Sequence, residues 1–330
     1  MRGVILAVPR KPKARPMIEI LLDIAPIFVL IVLGYGLRRG GIPSFEFWNL
    51  NDKLVYWVLF PALLFHKMAT MDLTGSPLGG FALVVYAGLV AAVLFALLVG
   101  WLCRVERATW SSVLQGCMRH NTFIALAVAE RVFGTEGLAL AVLNTALLIP
   151  VTNILVVALV LLILHGVAGK GVARAIVRDL LRNPLLIAVG LGLGVNVAGV
   201  KELPVLLEVT QILGAAALPI VLLCVGANIR IRVMTASLLP TLLAITGKLI
   251  VFPAVVVAMS IWVGLDALST SIALVFGAVP SAASAYTLAR QMGGDAPVMA
   301  AIVTIQTAIS FVTLPLTLLA AEHWLTGPMG

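Results

Sequence analysis

Arg119-His120-Asn121-Thr122 interrupts one long apolar segment of the chain, and Val279-Pro280-Ser281-Ala282-Ala283-Ser284 interrupts another about 160 residues later. Both segments are long enough to span a bilayer, yet both carry at their centre residues that a lipid-facing helix avoids. Broken helices at matching positions of two chain halves are the best sequence indication of a transporter binding site. The two stretches therefore predict a pair of interrupted membrane helices that together form a site.

The composition places the chain in a lipid bilayer. Of its 330 residues, 62% are hydrophobic and 11% are charged, with a mean hydropathy of +1.14, whereas a soluble domain is about half apolar and a quarter charged. Only helices satisfy the backbone within single segments of spanning length, so the predicted fold is an all-α polytopic membrane protein with ten transmembrane helices. The ten apolar stretches are 18–37, 46–66, 79–102, 110–133, 138–164, 184–199, 204–228, 238–264, 268–290 and 297–320.

The net charge of +8 would suggest nucleic acid binding in a soluble protein, but in a membrane chain the positive-inside rule explains it. Eleven basic residues follow odd-numbered stretches and three follow even-numbered ones. The odd-numbered loops are therefore predicted to be cytoplasmic, with both termini on the opposite side. The eleven are Arg38, Arg39, Arg104, Arg107, Lys170, Arg174, Arg178, Arg182, Arg230, Arg232 and Arg290, and the three are Lys67, Arg131 and Lys201.

Five regions follow from this pattern. The basic segment between the two sets of five spans carries Lys or Arg at every fourth position, which predicts an amphipathic helix on the cytoplasmic leaflet, with a solvated loop as the alternative. In order, the regions are 1–16, an N-terminal extension that is disordered or precedes a true start at Met17; 17–166, the first five-helix repeat; 167–183, the amphipathic linker; 184–322, the second five-helix repeat; and 323–330, the C-terminal tail.

The two halves can be laid over each other. Pro61 in segment 2 corresponds to Pro219 in segment 7, and Pro150 in segment 5 corresponds to Pro315 in segment 10, at offsets of 158 and 165 residues. The broken segments 4 and 9 are offset by about 160 residues. Because each half has an odd number of spans, the repeats must have opposite topology, which predicts a 5+5 inverted repeat.

Polar residues at membrane depth are candidate functional residues because their burial is costly. The second half-helix after each break would present N–H groups and a positive dipole end, which suits an anion, most simply a carboxylate. Arg119 would add a full charge and a bidentate fork, whereas the alternative is that Asn121 and Ser281 only satisfy a kinked backbone. The predicted substrate-binding residues are Arg119, His120, Asn121, Thr122, Pro280, Ser281, Ala282, Ser284, Asn144, Gln306 and Lys53.

Coupling of transport to an ion has three candidates: His120, Asp52 and Glu208. His120 could couple transport to protons, although a lone histidine is more often a neutral, hydrogen-bonded residue. Lys53 is expected to fix the carboxylate or to pair with a buried acid such as Glu208, and Lys248 is interpreted as structural or interfacial. The sequence shows no metal-ligand spacing, Walker A motif or hydrolase motif, so we predict no metal, no cofactor and no enzymatic activity.

Several stretches also resemble the auxin efflux carrier family, which includes plant auxin exporters of the PIN type and bacterial organic-acid permeases. The resemblance implies a scaffold part and a transport part whose fourth and ninth helices cross, and elevator-like export of small carboxylic acids. In it, Asn121 matches the crossover Asn, Pro280 the crossover Pro and Lys53 a basic residue of the second helix. The resembling residues are Asn51-Asp52-Lys53-Leu54-Val55, Pro61 to Phe65, His120-Asn121-Thr122-Phe123, Asn183-Pro184-Leu185, Leu218-Pro219, Val279-Pro280-Ser281, Ala289-Arg290, Asp295 to Pro297 and Leu314-Pro315-Leu316.

The plant proteins carry a large loop between helices 5 and 6 that is absent here, so the resemblance favours a bacterial permease, expected in the inner membrane. The distribution of basic residues predicts that both of its termini are periplasmic. The expected function is a secondary transporter that moves a mono- or dicarboxylate by alternating access, preferably outward. Its expected partners are the carboxylate substrate and membrane lipids, without nucleic acid, and a homodimer is left open. The alternatives are a sodium-coupled organic-anion symporter of the bile-acid type, a non-transporting membrane sensor and an intramembrane enzyme.

Overall fold

The computed structural model describes residues 17–72, 78–166, 177–178, 180–200, 203–229 and 238–326, with side chains from residue 18 to residue 320. All regular structure in these ranges is helical, which confirms the predicted all-α membrane fold at this level. The predicted extension 1–16 and residues 167–176 of the predicted linker lie outside the described residues. The expectations for those two regions therefore stay predictions.

The helices follow the apolar stretches closely. Two π-helical turns, Val55–Leu59 and Gly247–Val251, each join two consecutive α-helices. The described helices are α1 Met17–Arg39, α2 Phe45–Leu54, α3 Phe60–Thr70, α4 Leu78–Leu102, α5 Arg107–Met118, α6 Thr122–His165, α7 Pro184–Val197, α8 Pro204–Ala227, α9 Leu238–Thr246, α10 Phe252–Val263, α11 Ala267–Ala278, α12 Ser284–Met292 and α13 Ala296–Thr326.

Six helical stretches in the described part of the chain have the length and apolar composition needed to cross a membrane. They are Ile18–Arg39, Leu78–Leu102, Arg107–His165, Pro204–Ala227, Leu238–Val263 and Ala296–Ala320. Two shorter apolar helices, Pro184–Val197 and Ala267–Ala278, accompany them. The longest stretch is not straight, because Gly134 inside α6 has a φ of 67°, which an α-helix does not adopt.

Each π-helical turn precedes a Phe-Pro pair, Phe60-Pro61 in one case and Phe252-Pro253 in the other. Proline has no N–H, and its ring crowds the carbonyl of the residue four positions earlier. The helix continues through the proline by widening one turn, which is a common response to an interrupted hydrogen-bond ladder. The second of these turns carries Lys248 into the protein interior.

Side-chain oxygens set the start of several helices. A cap of this kind accepts hydrogen bonds from N–H groups that have no partner within the helix. Asp295 has a second role, because its Oδ2 accepts a hydrogen bond from Thr109 Oγ1 of α5 at 2.8 Å and so joins α5 to α13. The capping residues are Ser44 for α2, Asn121 for α6, Asn183 for α7, Asp266 for α11 and Asp295 for α13.

The helices form two packed groups. Helices α1, α3, α7 and α8 pack on one another, and α4, α5 and α9–α12 form the second group, while α6 and α13 contact both. The α1–α8 contact depends on glycine, since a Cβ at Gly34 would overlap the backbone of Leu223 and one at Gly226 would overlap that of Ile31. Small residues are typical of such contacts in membranes because they let two backbones approach closely.

Candidate functional site

The two predicted interruptions are present, and they touch. Helix α5 ends at Met118 and α6 begins at Thr122, while α11 ends at Ala278 and α12 begins at Ser284. The backbone N–H of Asn121 donates to the carbonyl oxygen of Pro280 at 2.8 Å. We call residues 119–121 and 279–283 together the crossover.

Asn121 stabilises the first break, because its side chain caps the N-terminus of α6. Its Oδ1 accepts from the N–H groups of Phe123 at 3.1 Å and Ile124 at 3.2 Å, and the residue is buried. Both donors belong to the first turn of α6, where they have no partner within the helix. The Oδ1 of this predicted substrate ligand is therefore already used by the protein.

Gln306 of α13 fastens the second break to its surroundings. Its Oε1 accepts from the Ser281 N–H at 2.9 Å, and its Nε2 donates to the carbonyl oxygens of Gly116 at 3.1 Å and Ala244 at 3.0 Å. The Ser281 hydroxyl donates to the Gln115 carbonyl at 3.5 Å. Gln306 and Ser281 are both fully buried, so the structure uses these two predicted site residues to tie the crossover to α5, α9 and α13.

The accessible edge of the crossover is positively polarised. Arg119 is half-buried, and its Nη2 donates to the Ser284 hydroxyl, in the first turn of α12, at 2.9 Å. Unlike α6, α12 has no side-chain cap at its N-terminus. Within the described residues, the N–H groups of Ala282 and Ala283 have no hydrogen-bond acceptor. A guanidinium, a hydroxyl and two open N–H donors therefore lie together, beside the half-buried Thr122.

Comparison with known proteins identifies the family of this chain. The sequence profile of a family described as membrane transport protein matches residues 19–318. The chain belongs to the membrane transport protein family. This membership confirms the resemblance to the auxin efflux carriers. A relative from Methanothermobacter thermautotrophicus, described as an uncharacterized transporter, is 25% identical over 296 residues, which cover 88% of this chain and 94% of the relative.

This membrane transport protein also buries polar side-chain atoms without partners, in α5, in α6 and at His120 of the crossover. Gln115 and Asn144 are fully buried, and neither amide group has a hydrogen-bond partner in the described structure; the same holds for Nδ1 of His120. An unsatisfied buried polar group costs about 1–3 kcal/mol, so such groups usually mark a place for water or a polar ligand. Gln115 and His120 flank the end of α5, and the His120 ring lies 5.5 Å from the Phe276 ring.

Three predicted residues lie elsewhere in the structure. Lys53 is exposed in the last turn of α2. Glu208 is exposed on α8, so the expectation of a buried acid at that position is wrong. Asp52 accepts a hydrogen bond from Asn228 Nδ2 at 2.9 Å, and Arg38 Nη1 donates to Asn228 Oδ1 at 3.3 Å. The side chains of Arg38, Asp52 and Asn228 therefore join the ends of α1, α2 and α8. Among the residues that the structure describes, no hydrogen bond links Lys53, Glu208 or Asp52 to the crossover.

Sequence reasoning missed Lys248 as a residue of this site. Its side chain is fully buried, Nζ donates to the Phe276 carbonyl at 2.8 Å, and Nζ lies 4.6 Å from the centre of the Phe252 ring. Phe276 is two residues before the end of α11, at the edge of the crossover. A usable signal was the Phe252-Pro253 pair four residues downstream, because a proline in a spanning segment indicates local departure from the α-helix.

Proposed function

We propose that this member of the membrane transport protein family is a secondary transporter for a small organic anion, a mono- or dicarboxylate. It moves the anion across the inner membrane by alternating access, with export as the favoured direction. Family membership supports transport. The observation that supports an anionic substrate is the accessible edge of the crossover. There, Arg119 bonds to Ser284 at the uncapped start of α12.

The proposed architecture has ten spans in two inverted repeats. Five of the spans are composite or divided: α2 with α3, α5 with the first part of α6, the remainder of α6, α9 with α10, and α11 with α12. Gly134 is the point that divides α6, and each repeat then contributes one broken helix to the crossover. The distribution of basic residues supports periplasmic termini, and the bond between Asn121 and Pro280 supports the pairing of spans four and nine.

The carboxylate would be held by donors already in place. One oxygen accepts from the Arg119 guanidinium, and the other accepts from the open N–H groups of Ala282 and Ala283 at the positive end of the α12 dipole. Charge-assisted hydrogen bonds of this kind contribute about 1.5–3 kcal/mol each. Because the protein supplies preformed donors, little ordering is needed at the moment of binding.

The two helix groups support movement of the crossover relative to a scaffold. Gln306 bonds to α5, α9 and the break before α12 at once, so the site can shift only together with these elements. The group formed by α1, α3, α7 and α8 shares none of these bonds and supplies the scaffold in this proposal. Elevator-like alternating access then carries the carboxylate past that scaffold.

A thermal-shift screen of the purified protein tests the proposal. Lactate, malonate, malate and indole-3-acetate serve as probes, each with sodium chloride and with choline chloride. A ligand that binds only the folded state stabilises it by about 2.7 kcal/mol at a hundredfold excess over its Kd. Absence of a shift with every carboxylate would overturn the anion assignment, and a shift that needs sodium would favour the bile-acid type of symporter.

A further inference from the structure

The buried amino group of Lys248 lies at the carbonyl end of a half-helix. Phe276, whose carbonyl oxygen it contacts at 2.8 Å, belongs to the last turn of α11. The last carbonyls of a helix carry partial negative charge, and in broken-helix transporters such ends coordinate the coupled sodium ion or proton. The Phe252 ring covers Nζ of Lys248 from another side, with the centre of the ring 4.6 Å from Nζ. In this protein, a tethered lysine therefore occupies a position suited to a cation.

In the described part of the chain, no acidic side chain lies where it could compensate a charge on Lys248. Helices α4, α5, α9, α10 and α11 pack against the π-helical turn that holds Lys248, and none of the five contains Asp or Glu. The titratable groups that face it are Cys117 of α5 and His120 of the crossover. Arg119 is the charged neighbour of His120. Tyr86 of α4 is engaged elsewhere, with the Leu147 carbonyl.

A buried charge without a counter-ion is costly, and buried charges in proteins are usually paired. The helix end and the aromatic ring recover only part of that cost. A negative charge at the crossover would offset the remaining cost of burying the charge on Lys248. The charged form of Lys248 and a bound carboxylate therefore favour each other, and by linkage the effect is reciprocal.

We propose that Lys248 is the proton-coupling residue of the transporter, an inference that rests on the proposed function. When the carboxylate binds, the neutral Nζ amine takes a proton from solvent and becomes an ammonium; when the carboxylate leaves, Nζ returns that proton to solvent. Anion and proton are thus carried together, and no dissolved cation is needed.

Calorimetry in buffers of different ionisation enthalpy tests the proposal, because it counts the protons taken up when malonate binds, or lactate if only monocarboxylates stabilise the protein. The intact transporter should take up a proton with each anion, and its affinity should fall up to tenfold per pH unit where Lys248 loses its proton. In Lys248→Met, which keeps the length of the side chain, proton uptake and the pH slope should both disappear. In Lys248→Arg, which is permanently charged, binding should persist without proton uptake.

His120→Gln is the matched control, because His120 is the titratable side chain of the crossover that faces Lys248. Loss of proton uptake in His120→Gln, with uptake intact in both Lys248 variants, would overturn the proposal. Carboxylate binding without proton uptake, or binding that requires sodium, would also overturn it while leaving the proposed anion site in place. If no carboxylate binds at all, the proposed function fails and this inference fails with it.

Discussion

Replacing Arg119 by glutamine is the most direct perturbation of the proposed anion site. The guanidinium is held at the start of α12 by its 2.9 Å bond to Ser284 Oγ, so it meets a bound carboxylate in a fixed position. Loss of a charge-assisted hydrogen bond to a desolvated anion costs about 1.5–3 kcal/mol. At 1.4 kcal/mol per decade, this predicts an increase in Kd of about ten- to 150-fold.

The chemistry of arginine predicts a graded series. Arg119→Lys keeps the charge but loses the planar fork, so its Kd should lie between those of the unmodified protein and Arg119→Gln. A dicarboxylate such as malonate should lose more affinity than lactate, because it presents more negative charge to the same guanidinium. Calorimetry or ligand-induced thermal shifts provide the Kd values.

Arg290→Gln is the control for this series. Arg290 is exposed in the last turn of α12, so the substitution removes the same charge at the end of α12 that lies away from the crossover. Its Kd should stay within about twofold of the unmodified protein, because exposed charges are strongly screened. Unchanged binding in folded Arg119→Gln would refute the site. Equal losses of carboxylate affinity in Arg119→Gln and Arg290→Gln would show that only the net charge of the protein matters.

Three further perturbations have defined outcomes. Asn121→Ala should lower the free energy of unfolding by about 1 kcal/mol through loss of the α6 cap, and Asn121→Ser should recover most of it; equal thermal melts for all three proteins would refute the capping role. Gly34→Leu should prevent the α1–α8 contact and reduce the yield of folded protein, which size-exclusion chromatography would show; a monodisperse variant with unchanged melting would contradict this packing. A membrane-impermeant maleimide should label the exposed Cys103 in inside-out vesicles but not in intact cells, and the exposed Thr135→Cys in a Cys103→Ser background should show the reverse; the opposite pattern would invert the proposed orientation.

The helical segments were predictable because they depend on local properties of the chain. Hydropathy located the apolar helices to within a few residues, and Pro280 and Asn121 marked the two breaks, since a residue without an N–H and a favoured cap both disturb a spanning helix. Arg119 could likewise be recognised from the sequence as a candidate functional residue, because a charged residue at membrane depth is rare and usually functional.

The roles of individual polar residues were less predictable because they depend on contacts between distant segments. Gln306 bonds to residues 62 and 190 positions away, and nothing in its own helix indicates those partners. The sequence alone favours a structural interpretation of Lys248. The role proposed for it here depends on the Phe276 carbonyl and on the absence of acids in five neighbouring helices. Glu208 showed the opposite error: its charge suggested a buried acid, but its side chain is exposed. Lys53 is exposed as well, and its expected role in holding the carboxylate stays a prediction.

The bond that closes the crossover uses main-chain atoms only, the N–H of residue 121 and the carbonyl of residue 280. Every amino acid except proline supplies that donor, and all twenty supply that acceptor. Descendants of one ancestral gene can therefore exchange the side chains at both positions as their substrates diverge and still inherit the crossing. Identity as low as the 25% shared with the Methanothermobacter relative is compatible with such inheritance, and among single substitutions at residue 121 only proline would remove the donor itself.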